Sequence, residues 1–144
     1  MSVRVGDEHI LAVNQVPNIG GYFDCEMRME IQVKNTCRSA WLNLYNMGKI
    51  RSYMTLDQAR TVIQAYVTSK LDSNNVLLAG TTSELQTKLQ LVQNAAVRLI
   101  SRSKKRDHVT PLLYNLHWLP IKDRIIFKIL LLTYMSLNDA VQSI

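Results

Sequence analysis

Apolar and polar positions divide the chain into a short β-like stretch and a long helical one. Val3 to Val5 and His9 to Val13 are two brief β-rich runs about Gly6-Asp7, which predicts a hairpin. Pro17 interrupts, and Asn18 to Asp24 follows as a compact strand whose glycines permit a bulge or a close backbone approach. From Met27 to Met47 the period becomes helical, with Val33, Cys37, Ala40, Leu44 and Met47 in one stripe. Trp41 lies beside that stripe and is read as core, and Gly48 is placed to end the helix.

Thr55 and Gln58 have capping-box spacing, and Leu56, Ala59, Ile63, Tyr66 and Val67 supply the apolar face of a second helix reaching about Leu71. Leu85, Leu89, Val92, Ala96 and Leu99 mark a third, while Gln86, Gln90, Gln93 and Arg98 fall on other, wet faces. Ser83 with Gln86 repeats the capping-box spacing, and Thr110-Pro111 reads as an N-cap with proline at the first helical position, so helices are expected to begin near Glu84 and Pro111. Pro120 starts a final helix in which Ile125, Ile126, Ile129, Leu130, Leu132 and Leu137 surround the axis, the pattern of a buried helix. Trp118 is expected to pack this helix against its predecessor, and His117 reads as a hydrogen-bonded structural histidine. The predicted class is α+β, mostly α: a short N-terminal β hairpin and strand, then a bundle of about five helices.

Composition narrows the class of protein. The 144 residues are 47% hydrophobic with five glycines and three prolines, enough for a real core and unlike a disordered tail. No repeat, low-complexity tract or dividing linker interrupts the chain. Ile125 to Met135, the longest apolar stretch, is broken by Lys128 and too short to span a bilayer, and the N-terminus lacks a secretory pattern. Cys25 and Cys37 form no CxxC pair and have no histidine at ligand spacing, so they read as reduced thiols of an intracellular protein.

Charge is distributed unevenly. Residues 1–34 carry three basic and five acidic groups, residues 35–88 six and three, and residues 89–144 eight and three. Arg98, Arg102, Lys104, Lys105 and Arg106 face Asp107 alone, so one short segment holds most of the net charge of +6. Two readings compete there. Such a run attracts polyanions through phosphate neutralisation and counterion release, and it equally offsets the negative C-terminal dipole of a helix. A basic run this short is more often a solvated helix end.

Candidate chemistry is sparse. Nucleotidyl transfer needs carboxylates close together to hold metal ions, and Asp7, Asp24, Asp57, Asp72, Asp107, Asp123 and Asp139 are scattered singly. GxSxG, P-loop and HExxH patterns do not occur.

The segments VQNAAVRLI, the basic run, DHVTPLL and LHWLPIKDRIIFKILLLTY, in this order and spacing, resemble the region downstream of the polymerase core in non-LTR (LINE-type) retrotransposon reverse transcriptases of the jockey and chicken-repeat group. Further upstream, Asn18, Gly20, Phe23 and Asp24 match the motif E strand of that family, the primer grip, with Gly21 standing where a β-branched residue is usual. Leu71 to Gly80 resembles the family's Leu-Asp-Tyr-Cys-Asn-x-Leu-Leu-x-Gly turn, with Ser73 and Asn74 in place of the Tyr-Cys pair.

The resemblance implies a remnant of the palm edge over residues 1–26 and a thumb-like helical domain over residues 27–144. It implies a part of an RNA-directed DNA polymerase that embraces the template-primer duplex through backbone contacts and is not catalytic alone. The family's Asp-Asp dyad is absent, so no cofactor is expected in this chain, magnesium belonging to the missing palm. Phosphate contacts are expected from Arg98, Arg102, Lys104, Lys105 and Arg106, and more weakly from Lys49, Arg51, Lys122 and Arg124. The expected partner is an RNA/DNA duplex, with no membrane and no small-molecule substrate, in the nucleus or cytoplasm. A freestanding helical nucleic-acid-binding module and a degenerate transposon-derived reading frame without function are the alternatives.

Overall fold

A computed structural model describes residues 2–11, 13–18 and 21–138. β1 (Ser2–Val5) pairs antiparallel with β2 (Glu8–Leu11) across Gly6, whose φ of +63° is the left-handed turn geometry that a glycine adopts without strain. A second hairpin follows, where sequence predicted one strand: β3 (Gln15–Asn18) pairs with β4 (Gly21–Asp24), Asn18 opposite Gly21. Pro17 therefore does not interrupt but sits within β3 opposite Tyr22, as the open edge of a two-stranded ribbon allows.

Five helical rods make up most of the remainder. α1 (Glu30–Ile50) buries Val33, Ala40, Leu44 and Met47, as its stripe predicted, with Cys37 half-buried. It is joined to the second hairpin by Asp24, whose Oδ1 accepts from the backbone N–H groups of Glu26 and Arg28 and whose Oδ2 accepts from Met29 N–H. Gln32 Oε1 accepts from Tyr22 N–H at 2.9 Å, fastening β4 to the helix. Gly48 does not end α1. It lies inside the last turn with no left-handed φ, and the helix runs on to a 3-10 turn over Arg51–Tyr53.

α2 (Leu56–Ile63) starts at the predicted capping box: Thr55 Oγ1 accepts from Gln58 N–H and Gln58 Oε1 from Thr55 N–H. The rod continues through a π-helical turn (Gln64–Thr68) into α3 (Ser69–Asp72). Ala59, Ile63, Val67 and Leu71 are spaced by four, which drifts around an α-helix; the wider π turn keeps all four buried. Leu56 and Tyr66 consequently face solvent, against the expectation that they pack.

Asn74 takes the left-handed conformation before a 3-10 turn over Asn75–Leu78, a φ that asparagine tolerates well. α4 (Ser83–Ser101) begins at Thr82, and the Ser83 and Gln86 capping box does not form. Its glutamines are not on a wet face. Gln93 is fully buried, donates from Nε2 to Leu119 C=O at 2.8 Å and accepts from Gln90 Nε2, while Gln90 Oε1 accepts from Ile121 N–H at 2.8 Å. These amides satisfy the backbone of the Leu-His-Trp-Leu-Pro corner and seat it on α4.

α5 (Val109–Asn115) starts after His108, so Thr110 is not the N-cap and Pro111 is the third helical residue and not the first, still within the turn where no N–H is needed. Trp118 packs into the core, while His117 is exposed at a φ of +56° and its side chain has no hydrogen bond among the described residues, against the expectation of a hydrogen-bonded structural histidine. α6 (Ile121–Leu137) begins after Pro120 as predicted, but it is not a buried helix. Only Ile121 and Ile125 are buried; Phe127 is 56% and Leu130 63% exposed. Ile129, in the third turn, packs half-buried against the core, and the apolar residues beyond it are mostly exposed. No helix among the described residues is long and apolar enough to cross a membrane.

Candidate nucleic-acid interface

α1 and α4 lie side by side in the same direction. Glu30 and Cys37 flank one hollow with Glu84 and Lys88 near the helix starts, and Arg51 reaches Leu99 and Ile100 at the far ends. The C-termini of both helices, each the negative end of a macrodipole and each with unpaired carbonyls, thus meet at one place. The cationic run belongs to that meeting point.

Arg51 fills it from beneath. The side chain is 7% exposed, and its guanidinium donates from Nε to Leu99 C=O at 2.9 Å, from Nη2 to Ile100 C=O at 2.6 Å and from Nη1 to Met54 C=O at 2.9 Å. Burial, with the neighbouring Arg102 charge adding to it, holds the Arg51 guanidinium below its ordinary pKa. Arg51 is therefore a helix-end clamp, its guanidinium taken up by backbone carbonyls.

Arg102 returns the arrangement. It ends α4 at a φ of +53°, its N–H and that of Ser103 close on Arg98 C=O, and its Nη2 donates to the carbonyls of Arg51 at 3.2 Å and Ser52 at 3.4 Å. Arg98 Nη2 donates to Asp107 C=O at 3.3 Å, and Arg98 Nε is buried without a hydrogen-bond partner among the described residues. Asp107 closes the loop by accepting Lys104 N–H on Oδ2 at 2.7 Å. Lys104, Lys105 and Arg106 are exposed, and no carboxylate pairs with them among the described residues.

Beside this end runs an open groove of about 980 Å³, lined by Trp41, Gly48 and Arg51 from α1 and its end and by Leu91, Arg98, Leu99, Arg102 and Lys105 from α4 and the loop after it. Trp41 is 46% exposed, so it is not the core residue its neighbouring stripe suggested. Trp41 and Leu91 also border the hollow toward the helix starts, about 850 Å³, where Lys88 pairs with Glu84 at 2.8 Å. Their mutual hydrogen bond holds the Glu84 carboxyl below, and the Lys88 ammonium above, its ordinary pKa. In the same hollow, burial pushes the Cys37 thiol up against the opposing pull of Lys88.

The remaining candidate residues lie elsewhere. Lys122 is exposed in the first turn of α6, and Lys49 lies over the Tyr45 ring at 4.3 Å. Arg124 pairs with Asp72, its Nη1 2.6 Å from both carboxylate oxygens, and it borders a separate hollow with Asn75. In the primer-grip-like set, Asn18 is on β3, Phe23 packs half-buried against the core and Asp24 holds the turn into α1; Gly20 lies outside the described residues. That set stands at the start of α1 and the cationic run at its end, roughly 30 Å apart along 21 helical residues.

Arg51 and Trp41 carry more of this geometry than the sequence disclosed. Nothing local marks Arg51, whose acceptors are 48 and 49 residues away. Trp41 had one signal: it follows Ala40 and so lies about 100° off the buried stripe.

Among the described residues, no three of His, Cys, Asp and Glu come together where they could hold a metal ion. No family model, curated protein or solved structure matches this chain.

Proposed function

We propose that this chain is the primer-grip and thumb portion of a non-LTR retrotransposon reverse transcriptase, contributing phosphate contacts to a template-primer duplex without catalysing synthesis itself. The observation that carries the nucleic-acid reading is the 102–106 loop: Lys104, Lys105 and Arg106 are exposed, lack carboxylate partners among the described residues and adjoin Arg98 and Arg102. Cations so placed track a backbone by charge and shape, with little reading of sequence. The ordered sequence resemblance from the α4 helix through the Leu-His-Trp-Leu-Pro corner supplies the polymerase part of the reading.

Binding of a labelled RNA·DNA duplex over a salt series tests it. With about five phosphate contacts, the log-log slope is expected to be roughly −3 to −5, and replacing Lys104, Lys105 and Arg106 together by Ala is expected to flatten it by about 2 to 3 units. A salt-independent response would sink the reading, and metal-dependent nucleotide incorporation by the isolated chain would overturn its non-catalytic part.

A further inference from the structure

We infer that the groove between α1 and α4 takes a single strand of nucleic acid, with a base stacked on Trp41 and the adjoining phosphates held by Arg98, Arg102 and Lys105. This rests on the nucleic-acid reading above and adds which form of the polymer the groove accepts.

An exposed indole beside cations is the composition of a sequence-tolerant single-strand site: a π-face for a base and positive charge for the backbone. Trp41 and Leu91 are both exposed and line the groove, and Arg98 lies two helical turns beyond Leu91, roughly 10 Å, the span of a few nucleotides. Among the described residues, no carboxylate lines this part of the groove, so its charge suits a polyanion there. Gly48 also lines the groove, with nothing within 4 Å of where its Cβ would stand. A base in a duplex is already stacked on both faces and cannot use the indole, whereas an unpaired base can.

Trp118 is 7% exposed, so intrinsic fluorescence changes on binding report chiefly on Trp41. The full chain is titrated with a labelled oligothymidylate, with a blunt RNA·DNA duplex and with an acidic amphipathic peptide, using the parent, Trp41→Ala and Trp41→Phe. Expected is tryptophan quenching by the single strand, a roughly tenfold loss of single-strand affinity in Trp41→Ala, near-parental binding in Trp41→Phe, and an unchanged duplex affinity.

Single-strand affinity unaffected by Trp41→Ala, with duplex binding intact, overturns the groove assignment and leaves the phosphate reading standing. A Trp41-dependent loss confined to the acidic peptide overturns it in favour of protein docking. If neither nucleic acid binds, the underlying reading fails first.

Discussion

Arg51 and Lys104 carry the same charge at the same end of the molecule and are expected to behave in opposite ways. Arg51 is buried and satisfies three backbone carbonyls, two of them at the end of α4, so truncation leaves buried acceptors unpaired. Arg51→Ala is expected to cost about 2–4 kcal/mol by urea unfolding. Arg51→Lys should recover only part of this, since one ammonium cannot span three divergent acceptors. Lys104→Ala should lie within about 0.5 kcal/mol of the parent, while weakening duplex binding. Equal destabilisation by the two alanine variants would mean that Arg51 is not the clamp described.

At the level of elements, the helices were legible because their periods and several starts are local. Val33, Ala40, Leu44 and Met47 pack as their spacing implied, and the Thr55 capping box forms. Ends were less legible. Gly48 carries the residue type of a helix stop, yet it lies inside α1, because the chain beyond it is drawn onto α4 through Arg51. A difference in sign follows. Gly48→Ala is expected to raise stability by about 0.5–1 kcal/mol, since the Cβ meets open space and the helix interior favours alanine. A left-handed cap would give the opposite sign, so a lower melting temperature in that variant would return Gly48 to the helix end.

For the whole molecule, the notable mismatch is between α6 and its surroundings. Its composition reads as interior, but the described core buries only Ile121 and Ile125 and half-buries Ile129, leaving Leu130 and the outer turns exposed. Ile125→Ala is accordingly expected to cost about 2–4 kcal/mol, and Leu130→Ala less than about 1 kcal/mol, by urea unfolding of the isolated chain. A Leu130 variant as damaging as the Ile125 one would show that the outer turns of α6 are covered in solution. The candidate site divides in the same way. The sequence displayed five cations between residues 98 and 106, but not that two helix ends would draw Arg98 and Arg102 into carbonyl contacts and leave the 104–106 loop free of them.

By itself the sequence determined the class of fold, the helical stripes, the Thr55 start and the concentration of positive charge, because each depends on residues within a few turns of one another. Only tertiary structure decided that Gln93 would be buried, that Trp41 would be open and that Arg51 would close α4 from 48 residues away. Which face of a helix is covered depends on what packs beside it, and the parallel seating of α1 on α4 is a contact between distant parts of the chain that periodicity does not encode.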